Sequence, residues 1–157
     1  MENSSEDSRA GWQALPSWLL TQTANHAHRL VTDGFSAANA RGYHFRVLAT
    51  LDEFGPASQA TLGRRSGIHV SEMVATINEL AECELVERAP DPADRRRNVV
   101  SLTTAGKRQL RRLEKQLAER QDELLAPLSP DERERFTELL SKLLDHHDRR
   151  SGEVWTG

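Results

Sequence analysis

A single cysteine, Cys83, in 157 residues cannot form an internal disulfide, and no CxxC or Cys/His spacing is present that would hold a zinc ion. Aromatic residues make up only 5%, and no apolar run approaches the roughly 20 residues needed to cross a bilayer. The opening MENSSEDSRAG is polar and acidic, unlike the basic and then apolar start of a secretory signal, so a soluble, cytoplasmic protein is expected. Ser/His/Asp and Cys/His arrangements are lacking, as is a glycine-rich phosphate loop, so no catalytic residue, no metal site and no cofactor is expected. His26 and His28 stand two apart and would point to different sides of a helix. Asp145-His146-His147-Asp148 reads as a solvated helix end. There is no internal repeat.

Basic charge is slightly outweighed overall but concentrated locally. The chain carries a formal net charge of -3, yet residues 88–112 hold eight basic residues against two acidic ones. A positive region on a negative protein points to a local polyanion site. With 29% charged and 37% apolar residues, the expected form is one helical domain with a modest core, better filled if two chains share it.

Residues 1–15 read as a disordered tail. Ser17 is placed to cap a helix over 18–35, with Trp18, Leu19, Ala24, Ala27, Leu30 and Val31 on its apolar stripe. A second helix spans 42–54 and stops at Gly55-Pro56. Ser58 caps a short helix reaching Ser66, Gly67 turns the chain, and a third apolar pattern runs from Val70 through Met73, Val74, Ile77 and Leu80 to Ala81. Helix, glycine turn and helix have the dimensions of a helix-turn-helix. Two short strands follow, 85–88 and 98–102, joined by a basic loop with two prolines. A helix-turn-helix followed by a hairpin is a winged helix. Two long helices close the chain, one from about Thr103 to about Leu125. The other opens on the capping box Ser129-Pro130-Asp131-Glu132 and carries Phe136, Leu139, Leu140, Leu143 and Leu144. The expected fold is mostly α with a small β-hairpin wing: a winged helix-turn-helix (41–103) with an all-α dimerisation region (16–40 and 104–149) and a flexible tail over 150–157.

The run from Phe45-Arg46-Val47-Leu48 through Gly55-Pro56, Gly67-Ile68, Leu85-Val86-Glu87-Arg88 and Asp91-Pro92-Ala93-Asp94-Arg95-Arg96-Arg97 to Ser101-Leu102-Thr103-Thr104-Ala105-Gly106 resembles the MarR family of bacterial transcription regulators. The resemblance covers roughly residues 18–148, and the wing with SLTTAG is its most specific part. It implies a homodimer, probed at Leu139, Leu140, Leu143 and Leu144, whose two winged helices bind double-stranded DNA at an inverted-repeat operator. It also implies release by a small aromatic or phenolic molecule. Family wings commonly read Asp-x-Arg-Asp-x-Arg. By match, Arg96 enters the minor groove and Asp94, with Asp91, supports the wing, while Ala93 departs from the pattern. Arg95 and Arg97 are placed to touch phosphates or the wing's own aspartates.

The second helix of the motif departs further. Family members often show Asp-Arg-Ser-Thr-Val-Ser-Arg-Leu where this chain has His69-Val70-Ser71-Glu72-Met73-Val74-Ala75-Thr76. At 100° per residue, Val70, Met73, Val74, Ile77, Leu80 and Ala81 form the expected buried face, leaving Ser71, Glu72, Ala75 and Glu79 opposite. Ser71, Glu72, Ala75 and Thr76 are the expected base-reading residues, with Ser58 and Arg64 on phosphate. Trp18, His26, His44 and Arg46 are candidates for an effector site. Cys83 reads either as a half-buried thiol or as a redox switch. An alternative function remains open at this point: a winged helix whose acidic face has turned to protein partners.

Overall fold

In the computed structural model, which describes residues 9–153, a 3₁₀ turn over Gly11–Ala14 precedes the first long helix, α1 (Pro16–Ser36). That turn lies inside the segment expected to be a tail; the rest of the N-terminal expectation falls partly outside the described residues. Proline itself opens α1: Pro16 is the first helical residue and Leu15 the cap, displacing Ser17 from the role given to it. The missing proline N–H is one that a helix start leaves unpaired in any case.

α2 (Gly42–Phe54), α3 (Gln59–Ser66) and α4 (Val70–Glu82) follow, then strands β1 (Val86–Pro90) and β2 (Asn98–Leu102) and helix α5 (Thr104–Leu124). Ser58 caps α3, its Oγ accepting the Thr61 N–H at 3.3 Å. The α3–α4 turn needs a left-handed residue, and Gly67 supplies it at φ 66°. The strands pair antiparallel, with Val86 opposite Leu102 and Pro90 opposite Asn98. Pairing thus runs two residues further into the loop than 85–88 suggested. A short bridge joins Ala57 to Val100 through N–H···O bonds of 3.1 and 2.8 Å, so the hairpin is sewn onto the α2–α3 connection.

One core ties these pieces together. Val47, Leu48, Leu62, Ile77 and Leu113 are fully inaccessible, and Phe35, Met73, Leu80, Val100 and Leu110 are nearly so. At roughly 1.5–3 kcal/mol per buried aliphatic side chain, this cluster is the main stabilising contribution. Besides residues 41–103, it draws on the end of α1 and the start of α5.

The chain divides into two compact units at Arg120 and Gln121. The second unit contains the end of α5 and α6 (Pro130–Glu153). Its capping box is complete: the Ser129 N–H donates to Glu132 Oε1 at 3.0 Å and the Glu132 N–H to Ser129 Oγ at 3.2 Å. Hydrogen bonding from Ser129, its backbone N–H first, holds the Glu132 carboxyl below its ordinary range. Arg133 donates to Leu128 O at 3.2 Å and Asp122 Oδ1 at 3.0 Å. α6 continues to Glu153, so residues 150–153 are helical rather than part of a tail.

Candidate nucleic-acid interface

The wing loop, residues 91–97, is held by its own aspartates. The Asp91 N–H closes it on Arg97 O at 2.7 Å. Asp91 Oδ1 accepts the Ala93 N–H at 2.9 Å and Asp94 Oδ1 the Arg96 N–H at 3.1 Å, so both carboxylates satisfy backbone donors of the turn. Arg97 Nε lies 3.9 Å from Asp94 Oδ2. Arg95, Arg96 and Arg97 are all exposed. A loop braced this way, with Pro90 and Pro92 restricting the backbone, presents three guanidinium groups at little ordering cost.

Beside it stands the helix-turn-helix. Thr61 Oγ1 receives both the Ser58 hydroxyl and Arg64 Nη2, each at 3.1 Å. His69 caps α4, its Nδ1 accepting the Ser71 N–H at 3.4 Å. Arg88 of β1 donates to Asn78 Oδ1 at 2.6 Å, joining the wing's base to α4.

Two expectations for α4 fail. Thr76 is 2% exposed and its Oγ1 donates to Glu72 O at 2.7 Å, so it cannot reach a base edge. Val70 and Val74, expected in the core, are 70% and 42% exposed. The core needs only the narrow ridge Met73, Thr76, Ile77 and Leu80, and the two valines lie on its flank, 60–100° round the helix by the 100° step. The family pattern carries the signal for both: it has leucine where Thr76 stands, arginine at Val70 and serine at Val74.

Glu79, expected opposite the buried face of α4, is engaged elsewhere. Its Oε2 accepts from Arg41 Nη2 and lies 2.7 Å from His44 Nε2. His44 Nδ1 accepts the Arg41 backbone N–H at 3.3 Å, which leaves Nε2 to carry the proton toward Glu79. Bonds from Arg41 first and His44 second hold the Glu79 carboxyl below its ordinary range, and Glu79 raises the Arg41 guanidinium in turn. Glu72 remains the one acidic residue on the first turn of α4.

The effector candidates have separate partners. Trp18 packs edge-on against Trp12 at 5.6 Å, and Arg46 lies 5.8 Å from the Tyr43 ring centroid. His44 holds Glu79, and His26 Nδ1 lies 2.8 Å from Arg29 Nη2. His26 also lines a depression of about 430 Å³ with Gln22, Asn25, His28 and Arg29, all from α1. Cys83 is exposed, not half-buried. Among the described residues no helix is long and apolar enough to cross a membrane, and no group of three or more metal-capable side chains gathers.

A helix-turn-helix with an exposed second helix, next to a braced basic hairpin, defines a winged-helix DNA-binding protein. The comparisons agree. The sequence profile of the MarR family matches residues 33–97. An uncharacterized HTH-type transcriptional regulator of Bacillus subtilis, YxaD, is 32% identical over 99 residues, which are 63% of this chain and 69% of that protein. A probable transcriptional regulator from Pseudomonas aeruginosa superposes with a TM-score of 0.73 at 30% identity, covering 84% of this chain and 98% of that one. The PcaV transcriptional regulator from Streptomyces coelicolor, solved in complex with its natural ligand, gives 0.71 at 28% identity, covering 88% and 97%. The chain belongs to the MarR family. It is a DNA-binding transcriptional regulator and not an enzyme.

Proposed function

We propose that the chain works as a homodimer that occupies an inverted-repeat operator, represses transcription by that occupancy, and is released by a small aromatic or phenolic effector. The observation that carries the DNA geometry is the pairing of an exposed α4 with three exposed wing arginines on a chain of net charge -3. In this reading α4 enters the major groove with Ser71, Glu72 and Ala75 toward base edges. Arg96 enters the minor groove, and Arg64, Arg95 and Arg97 lie on phosphates. Ser58 contributes through the start of α3, since its hydroxyl is committed to Thr61. Such work places the protein in the cytoplasm.

Dimerisation is supported by α6, where Leu139, Leu143 and Leu144 are 45%, 52% and 61% exposed in the single chain. A leucine stripe of that size on one helix calls for a cover, and a second copy supplies it with twofold symmetry matching an inverted repeat. Residues 16–40 and 104–149 form the dimerisation region in this proposal, and 41–103 the DNA-binding part. Release by a ligand draws support from PcaV, and from His44, an effector candidate that already holds Glu79 of α4. A ligand engaging His44 would compete with that contact and shift α4.

A footprint of the purified protein on the DNA upstream of its own gene, repeated across salt, tests this. A protected inverted repeat, with log affinity falling steeply against log salt, is the expected result. Binding no tighter than to random DNA would overturn the operator reading. Absence of release across a panel of phenolic and aromatic acids would remove the effector part.

A further inference from the structure

We infer that Val70 and Val74 read thymine methyl groups in the major groove, so that this regulator selects operators by T-methyl contact where arginines would select guanine. The inference rests on the reading that α4 enters the major groove, and it adds the residues that determine sequence there. Three observations carry it. Val70, the first residue of α4, is 70% exposed, and Val74, one turn later on the same flank, is 42% exposed. α4 contains no lysine or arginine, so it has no bidentate partner for guanine O6 and N7. The patch is also continuous with the basic surface, because Arg88 at the foot of the wing meets Asn78 on the exposed side of the same helix.

The occupant follows from chemistry. The N-terminal half of a recognition helix is the part that approaches base edges. Two branched aliphatic side chains there, with the Ala75 methyl a further step round the helix from Val74, offer no hydrogen bond. The one major-groove feature that rewards apolar contact is the thymine C5-methyl. Leaving two valines in water against unmatched polar edges would lose this gain and strand base acceptors without water. An A/T-rich half-site under α4 is therefore the complement of this surface.

Replacing thymine by deoxyuridine deletes only that methyl, which gives a direct test. On the operator defined by footprinting, each thymine under α4 is replaced singly, and affinity is measured for the wild type and for Val70→Ala and Val74→Ala. For the wild type, at least one position per half-site should weaken binding about three- to fivefold, the effect of losing one buried methyl. The matching valine variant should bind about that much more weakly to thymine DNA and respond little to the same replacement. Replacements under the wing serve as the control, because the methyl faces the major groove and Arg96 approaches from the other side. Both valines are exposed, so unchanged circular dichroism and melting should accompany the variants. Specific binding with no response to uridine anywhere under α4 overturns the methyl reading while leaving the operator reading intact. A response that persists in both variants reassigns the contact to Ala75 and overturns the role of the valines. Absence of specific binding overturns both readings, and a loss of partner-protein binding in the variants without change on DNA marks the patch as a protein surface.

Discussion

Arg96 and its two neighbours differ in what their surroundings leave them free to do. Arg97 lies within reach of Asp94, and Arg95, like Arg96, is exposed. The Arg96 backbone N–H is fixed by Asp94, so the side chain leaves the loop from an ordered root. Arg96→Ala should therefore cost on the order of 1–3 kcal/mol of operator affinity, about fivefold to 150-fold, with the melting curve unchanged. Fluorescence anisotropy on the footprinted operator measures it; equal affinity for wild type and variant would move the minor-groove role to Arg95 or Arg97. Glu79 belongs to the same scale. Its carboxyl is held low by Arg41 and His44, so whatever stability the contact adds is fully present above the ordinary carboxylate range. That contribution disappears as pH falls through the lower folded value, and operator binding near neutral pH is untouched by it. A carbon-13 titration of Glu79 Cδ should show a midpoint below that of a free glutamate, rising in Arg41→Ala. A midpoint at or above the free value would mean that the clamp does not form in solution.

Elements explain which parts of the fold were legible in the residues. The hairpin, the glycine turn and the capping box are local signals, and their residues act on neighbours within a few positions, as Ser129 and Glu132 do. The faces of α4 were not legible in the same way. A helix with seven apolar side chains in thirteen residues has more candidates than one core ridge can hold, and only the packing partners decide which stay out. Val70 and Val74 lost that competition and Thr76 won a place through its bond to Glu72 O. The Arg41–Glu79 contact spans 38 positions, and nothing local announces it. SLTTAG is a different case: it is legible as a motif, but its physical cause lies in the junction of α5 with the hairpin. Thr103 Oγ1 donates to Glu84 O at 2.7 Å and accepts the Gly106 N–H at 2.9 Å, seating the helix against the chain before β1. A Cβ at Gly106 would stand 2.0 Å from Leu85 O and 2.7 Å from Leu102 Cδ1. Because the nearer atom is backbone, it cannot swing aside. Gly106→Ala should therefore lower unfolding free energy by about 3 kcal/mol or more in a urea titration, though alanine favours helix on propensity alone. A variant as stable as the wild type would show that the junction opens in solution.

At the scale of the molecule, the winged helix and α6 are connected through the number of chains on the DNA. In the proposed dimer each winged helix touches one half-site, and the second half-site adds an effectively intramolecular contact only if the chains stay paired. Leu143 sits half-exposed on the stripe that the proposed partner covers. Leu143→Asp would place an unpaired charge in that interface, at a cost of several kcal/mol, while disturbing little in the isolated chain. Sedimentation should then show a folded monomer, and its salt dependence on operator DNA should separate two effects. Each phosphate contact contributes about 0.9 to the slope of log affinity against log salt, so losing one of two chains should halve the slope. Arg95→Ala in the intact dimer should reduce the slope by about 2, one contact from each chain, with little change in sequence preference. The Leu143→Asp monomer should instead lose its preference for paired half-sites over single ones. A variant that remains dimeric would show that the α6 leucines are covered by something other than a second copy. A monomer that still discriminates paired sites would mean that one chain alone spans the operator, and the twofold geometry would have to be given up.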